Sequence, residues 1–280
     1  MPVFRLFDLK SQRPFRSSRP SLRERCPLPR NDIRDIGVVL AAGFPEGGRM
    51  SGHVLPKSDT ELFALVRDEL FTAVVGDALD AAGHTRQFLP PEIRPLDVDM
   101  VLVGRAMPVL EADCFEQTVR SDGRRRPFGL MFDALDDLKS GEVYICTGSS
   151  PDYALWGELM TLRAQKLGAA GAILHGYMRD TRSVLKQNFP VFSMGAYSQD
   201  QGVRGRVIDY RCRIAFANGV EVNPGDLVFG DRDGVVIIPQ RIESEILLAA
   251  LEKARGENTV RKAIENGMSA RDAYETYGIM

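Results

Sequence analysis

One stretch, residues 156–180 (WGELMTLRAQKLGAAGAILHGYMRD), narrows the folds open to this chain more than any other. Leu159, Met160, Ala164 and Leu167 recur at helical spacing, which predicts a helix over 157–167 with an apolar core face. Gly168 suits the left-handed position that ends such a helix. Residues 171–174 then read as a short buried strand, and His175-Gly176 as the loop that leaves it. A helix start and a strand end can therefore meet in space, which would gather Glu158, Arg179 and Asp180. Two carboxylates and a guanidinium at a helix N-terminus suit a hard divalent cation and a small carboxylate ligand. Taken singly, the same residues are compatible with a helix-capping acid and a surface ion pair.

The pattern continues on both sides. Ser58-Asp-Thr-Glu61 is a capping box ahead of Leu62, Phe63, Leu65, Val66 and Leu70 on a helical period. A second short helix is expected over 77–82, closed by Gly83, with His84 solvated or hydrogen-bonded in the loop beyond. Apolar strands at 100–103 and 107–110 flank Gly104-Arg105. A helix at 130–138 turns at Ser140-Gly141 into a strand at 143–147. The polar loop 148–152 is placed to face an anion with its backbone N–H groups. A helical turn is expected at 181–186 and a strand at 190–192. From 206 to 239 the chain reads as strands and tight turns, marked by Asn223-Pro-Gly-Asp226 and Asp231-Arg-Asp-Gly234. Ile242, Ile246, Leu247, Ala250, Leu251 and Ala254 mark a long C-terminal helix. Helices alternating with strands, and hairpins late in the chain, imply an α/β layered domain whose topology periodicity leaves open.

With 280 residues, 44% of them hydrophobic, the chain can bury the core of one domain and still carry a tail. The expected division is a basic, Pro-rich N-terminal extension over 1–57, disordered, and a folded domain over 58–280. Residues 1–34 hold nine Lys or Arg against three acids, and Pro2, Pro14, Pro20, Pro27 and Pro29 break any helix there. Such a start also suits an organelle transit peptide, and Met50 could instead be the initiator. A net charge of −2, from 36 basic and 38 acidic residues, argues against a nucleic-acid partner. RSDGRRRP at 120–127 reads as a solvated loop, with an anion or subunit contact as the alternative. Cys26, Cys114, Cys146 and Cys212 are widely spaced and form no CxxC pair, which suits a reducing, cytoplasmic setting. No run of ~18 apolar residues occurs, so no membrane span is expected.

GDALD at 76–80, VGRA at 103–106, WGELM at 156–160, GAAGAILHGYMRD at 168–180, FPVF at 189–192 and VNPGDLVFGDRDGVVIIP at 222–239 occur together. Jointly they resemble the family that groups the ribonuclease-activity regulator RraA with the 4-hydroxy-4-methyl-2-oxoglutarate aldolases. The resemblance implies a three-layer α/β/α sandwich of the swivelling RraA-like type with a mixed sheet. It also implies homotrimers or hexamers with active sites between neighbouring subunits. The implied activity is that of a class II, metal-dependent lyase that takes small 2-oxo acids to pyruvate. Retro-aldol cleavage of 4-hydroxy-4-methyl-2-oxoglutarate and decarboxylation of oxaloacetate are the examples. The alternative within the family is a non-catalytic regulator that binds an RNA-degrading enzyme.

Aldolases of that family carry an acid, twenty intervening positions and then Arg-Asp, which Glu158 and Arg179-Asp180 match. By that pattern Asp180 would bind Mg²⁺ or Mn²⁺, with water completing the coordination. Arg179 would hold the substrate's oxo group and the enolate formed from it, and Glu158 would orient water or relay a proton. The backbone at Gly157, Leu159 and Met160 would receive the substrate carboxylate. An acid from a neighbouring chain's C-terminal helix joins such sites; Glu257 is the match, with an ion pair to Arg261 as its alternative role. Two positions depart from relatives: His175 stands where an acidic or apolar residue is usual, and Glu158 where Asp is common. The chemistry suits these residues, because charge left on an enolate is stabilised by a Lewis acid and by a guanidinium. A Schiff-base route through Lys166 is disfavoured by its place on a solvated face. A methyltransferase is disfavoured by the lack of a Gly-rich strand-to-helix loop.

Overall fold

The computed structural model describes residues 54–114 and 127–278. Nearly all of the expected N-terminal extension, and all but the last residue of RSDGRRRP, lie outside the described residues. The helices are Asp59–Glu69 (α1), Thr72–Ala81 (α2), Met131–Asp136 (α3), Glu158–Lys166 (α4), Thr181–Gln187 (α5), Glu243–Glu265 (α6) and Ala270–Tyr277 (α7). The strands begin with Arg94–Pro95 (β1), Leu102–Asp113 (β2), Glu142–Thr147 (β3), Ala154–Trp156 (β4), Gly171–Leu174 (β5) and Tyr177–Met178 (β6). They continue with Val191–Ser193 (β7), Gly205–Tyr210 (β8), Ile214–Ala215 (β9), Glu221–Val222 (β10), Leu227–Asp231 (β11) and Gly234–Ile238 (β12).

The main sheet runs β1-β7-β5-β3-β2-β11-β12, with β8 paired to the far half of β2. Neighbours along β2, β3, β5 and β7 are parallel, while β1, β8, β11 and β12 pair antiparallel. The two ends of the sheet approach each other. Phe88 bridges Val236, Leu89 N–H donates to the Val235 carbonyl (2.9 Å), and Ile237 N–H donates to that of Gln87 (2.8 Å). The mixed sheet is thereby curled nearly into a barrel. Alternation along each strand sorts the side chains. Ala106, Ile145, Ile173, Phe192, Val228 and Ile237 fill the inside. On the outside, Tyr144, Leu174 and Val191 meet α3, α4 and α5, while Val103, Phe229 and Val236 meet α1, α2 and α6. The chain has the expected α/β fold, with its helical layers set on a curled sheet.

Several local differences have physical causes. Gly104-Arg105 does not interrupt β2, which is one strand where two were expected. Glycine is needed there because an added Cβ would lie 2.6 Å from the Gly141 carbonyl oxygen. Arg105 turns outward to Asp59 and Glu243. The Ser58 hydroxyl accepts from Glu61 N–H (3.3 Å) as the capping box requires, a bond worth about 1 kcal/mol. Helix α2 begins at Thr72, earlier than the expected 77. Its first N–H and the Thr72 hydroxyl both bond Asp231 (2.8 and 2.7 Å), a cap supplied from far along the chain. On α4, Ala164 is buried but Leu159 is 79% exposed, so the apolar face expected there is only partly core. No helix among the described residues is long and apolar enough to cross a membrane.

Candidate active site

Strands β4 and β6 form a two-stranded ribbon apart from the main sheet. It sets Trp156 beside Met178, and Arg179 N–H donates to the Trp156 carbonyl (2.9 Å). The next residues along each strand are the start of α4 and Arg179-Asp180, so the ribbon is what brings them together. Trp156 pins the ribbon: it is buried, donates Nε1–H to Thr161 Oγ1 (2.7 Å) and stacks on Phe189 at 6.3 Å. Gly157 leaves room for the acid, since an added Cβ would lie 2.6 Å from Asp180 Oδ2. Asp180 itself takes the left-handed backbone (φ 58°, ψ 29°), a region in which Asp is tolerated better than most residues. Its carbonyl accepts from Ser183 and Val184 N–H (2.9 and 3.1 Å), which starts α5.

Asp180 Oδ2 accepts from Glu158 N–H (3.2 Å) and lies 3.7 Å from Arg179 Nε. Arg179 Nη1 pairs with Asp200 Oδ1 at 2.9 Å. The second Asp200 oxygen accepts from Gly202 N–H (2.8 Å), and its carbonyl from Arg204 Nη1 (3.0 Å). Arg179, Asp180 and Asp200 are all partly exposed, on one wall of a cleft of about 220 Å³. Phe128, Phe132, Leu155, Met160 and Gln201 line other parts of that cleft. The α4 ladder begins with Thr161 N–H to the Gly157 carbonyl (3.1 Å), so the Leu159 and Met160 amides have no acceptor inside the helix.

Of the residues singled out in the sequence, Gly157, Leu159, Met160, Arg179 and Asp180 line this cleft. Glu158 contributes its backbone amide. Its side chain is exposed, is not part of the wall, and makes no hydrogen bond or ion pair among the described residues. Glu257 lies on α6, which packs with α1 and α2, and does not line the cleft of its own chain. It forms no ion pair with Arg261 among the described residues. His175 is also outside the cleft: Nδ1 is 2.7 Å from Thr147 Oγ1, the ring meets Phe216, and burial lowers its pKa. The loop over 148–152 does face an anion, but it is the chain's own. Ser150 N–H and the Tyr153 hydroxyl both donate to Asp113 Oδ1 (2.9 and 2.7 Å).

Two carboxyl groups emerge only from the structure. Asp200 reaches Arg179 from a loop whose Asp-x-Gly pattern announces nothing beyond its own turn. Behind it, Gln201 Nε2 donates to Glu111 Oε2 (2.7 Å) inside the protein. Burial pushes the Glu111 carboxyl up to about 8 against the opposing pull of that bond. Glu111 Oε1 has no partner among the described residues. Here a signal existed, because Met107, Val109 and Glu111 alternate onto one face of β2.

A hard dication needs oxygen donors. Among the described residues no group of three or more His, Cys, Asp or Glu could hold a metal ion. Asp180 lines the cleft, and its Oδ1 has no hydrogen bond among the described residues. That donor set fits a Mg²⁺-type ion held by one or two carboxylates and otherwise by water and ligand oxygens; it does not fit an all-protein cage.

Residues 72–237 match the RraA-like family (Aldolase/RraA). The chain belongs to the RraA-like family. The matched span of this RraA-like chain includes Glu158, Arg179, Asp180 and Asp200 and leaves out Glu257. It is 29% identical over 207 residues to protein DlpA of Legionella pneumophila, covering 74% of this chain but 32% of DlpA, about a third of that relative's length. It is 27% identical over 158 residues to the 4-hydroxy-4-methyl-2-oxoglutarate aldolase of Thermus thermophilus, covering 53% of this chain and 94% of that one. The crystal structure of an uncharacterized protein from Pseudomonas syringae pv. tomato matches with a TM-score of 0.68 at 26% identity, covering 80% of this chain and 98% of that one.

Proposed function

We propose that the cleft at the start of α4 is the active site of a lyase that cleaves or decarboxylates small 2-oxo acids to give pyruvate. One observation carries this reading: Arg179 and Asp180 stand side by side on a cleft whose lining also includes Leu159 and Met160, whose amides have no acceptor among the described residues. At about 220 Å³ the cleft suits a metabolite smaller than the ligands of ~300–1,000 Å³ pockets. The Leu159 and Met160 amides, at a positive helix end, would receive the substrate carboxylate. Cleavage of the C3–C4 bond leaves its electron pair on the pyruvyl fragment, with charge on the C2 oxygen. Arg179 would hold that oxygen, and losing such a donor commonly costs about 3 kcal/mol of barrier. Asp180 would hold Mg²⁺ or Mn²⁺, which when bound supplies Lewis-acid polarisation of the 2-oxo group. Glu158, exposed beside the cleft, is the candidate to move the C4 hydroxyl proton through water.

On the same reading Glu257 would reach a cleft only from a neighbouring copy in a homotrimer or hexamer. The exposure of Leu159 and Phe132 at the cleft supports a covering partner. The test is a pyruvate-release screen over a panel of 2-oxo acids, with and without added Mg²⁺ or Mn²⁺. Metal-dependent release that Asp180→Ala abolishes is expected. Wild-type turnover by Asp180→Ala would remove the proposal. Chelator-insensitive binding to an RNA-degrading enzyme, with no pyruvate from any acid, would favour the regulator.

A further inference from the structure

We propose that Glu111 is a positioning residue of this site: through Gln201 it fixes the Asp200 segment of the wall, and so the Arg179 guanidinium. The inference rests on the reading of the cleft as a lyase site and deepens it. Arg179 and Asp180 are carried by the β4–β6 ribbon, which does not pair with the main sheet. The Arg179 side chain is 41% exposed, and a long side chain in that setting keeps its rotamer freedom unless a partner fixes it. Its close partner is Asp200 at 2.9 Å, on the segment between β7 and β8.

That segment is tied at both ends. At its start Ala154 N–H donates to the Gln199 carbonyl (2.8 Å) and Ala154 bridges Asp200, so it follows the ribbon. At its end Gly205 pairs with Asp113 of β2. Between them Gln201 turns inward, 3% exposed, and gives Nε2–H to Glu111 Oε2 at 2.7 Å. The Gln201 carbonyl accepts from Arg204 and Gly205 N–H (2.7 and 3.0 Å), which closes the turn around that side chain. Glu111 stands on β2, between β3 and β11 in the sheet order, at the point where the pairing with β8 shifts register. The contacts Glu111–Gln201–Asp200–Arg179 thus run from the middle of the curled sheet to the guanidinium on the cleft wall. A hydrocarbon at 111 would avoid the cost of burying a carboxyl. What the carboxyl adds is directed acceptance from one amide, which a hydrocarbon lacks.

Steady-state pyruvate release in Mg²⁺ from 4-hydroxy-4-methyl-2-oxoglutarate and from oxaloacetate tests this, with rates taken per folded molecule. Glu111→Leu removes the acceptor and should lower kcat about tenfold with KM within about threefold, because Arg179 acts on charge formed in the transition state. Glu111→Gln keeps an oxygen for the Gln201 amide and should restore kcat to within about twofold of the wild type. In an Asp200→Asn background, where the arginine has lost its charged partner, Glu111→Leu should cost no more than about twofold. A Glu111 that only supports the fold would lower both backgrounds alike, and that equal loss overturns the proposal. So does a loss confined to KM, or a Glu111→Gln variant as slow as Glu111→Leu. If Glu111→Leu does not fold, Gln201→Leu breaks the same bond from the other side, and the same comparison of backgrounds decides. Equal losses in an enzyme that does release pyruvate sink this inference alone. If the wild type releases pyruvate from neither acid, the reading of the cleft falls and takes this inference with it.

Discussion

Arg105 and Arg179 each stand between two carboxylates, and the molecule uses the two clusters differently. Arg105, on β2, gives Nε to both oxygens of Asp59 (3.1 and 3.0 Å), Nη1 to Glu243 Oε2 and Nη2 to Glu243 Oε1 (3.2 Å). Asp59 opens α1 and Glu243 opens α6, so one guanidinium clamps two helices to the sheet while only 19% exposed. Arg179 has one close partner, Asp200, and Asp180 stands off at 3.7 Å. It is more than twice as exposed as Arg105, at 41%. The first cluster spends its guanidinium on the two helix-opening acids, a structural use of the same chemistry. The second keeps donors and one carboxylate oxygen in reserve, as the proposed site requires.

Four experiments would break or sharpen that contrast. The largest effect is expected from Arg179→Ala, which should lower pyruvate release by about 10²–10³-fold with little change in melting temperature. Arg105→Ala should do the reverse, losing about 2 kcal/mol in denaturant titration while activity per folded molecule stays within about twofold. If the two variants behave alike in both assays, the division between clamp and site is wrong. Next, Asp180→Asn should cut activity about 100-fold and weaken Mg²⁺ binding in calorimetry, whereas Glu243→Gln should leave Mg²⁺ binding untouched.

Gly157→Ala should cost about tenfold in activity, because the new methyl meets Asp180 Oδ2 at 2.6 Å and must displace it. Normal turnover by this variant would show that the placement of Asp180 is not critical. The smallest effect concerns Glu111, a carboxyl whose hydrogen-bond partner among the described residues is the neutral Gln201. Its folded pKa of about 8 lies above the ordinary 4.5. The unfolded chain therefore releases this proton first, so its share of stability is full below about pH 4.5 and is lost as pH rises to about 8. In denaturant titration Glu111→Gln should be more stable than the wild type near pH ~8.5, by on the order of a few kcal/mol, and the gap should close near pH ~5. A gap that is the same at both pH values would show that Glu111 does not titrate in this window.

Helix α4, the left-handed Gly168 (φ 78°) and strand β5 are legible because periodicity and a glycine mark them locally. Glu158, Arg179 and Asp180 are legible as a group only through the family resemblance, whose acid-to-Arg-Asp pattern names them; Arg179 and Asp180 line the cleft, while the Glu158 side chain does not. The Arg179–Asp200 pair is not legible, since no fixed spacing joins the two segments and only tertiary packing does. The same holds for the early start of α2, whose cap comes from Asp231, and for the closing bridge between Phe88 and Val236. Leu159 misleads for a different reason. Apolar periodicity counts it into the core face, but it lies five residues from Ala164, about 140° round the helix, which turns it to the cleft rather than the core. Gly104-Arg105 resembles a break because glycine usually signals one; here it serves the close pass of Gly141.

Because β4 and β6 pair with each other and not with the curled sheet, the corner that carries Arg179 and Asp180 is placed by a ribbon of its own beside that sheet. Met131, Leu155 and Trp156 of the cleft lining are buried in the cluster that packs on the sheet, whereas Phe132 and Leu159 are exposed and can change without opening that core. A lineage built on this scaffold could change what it accepts by editing short segments on either side of that ribbon, leaving the load of folding elsewhere.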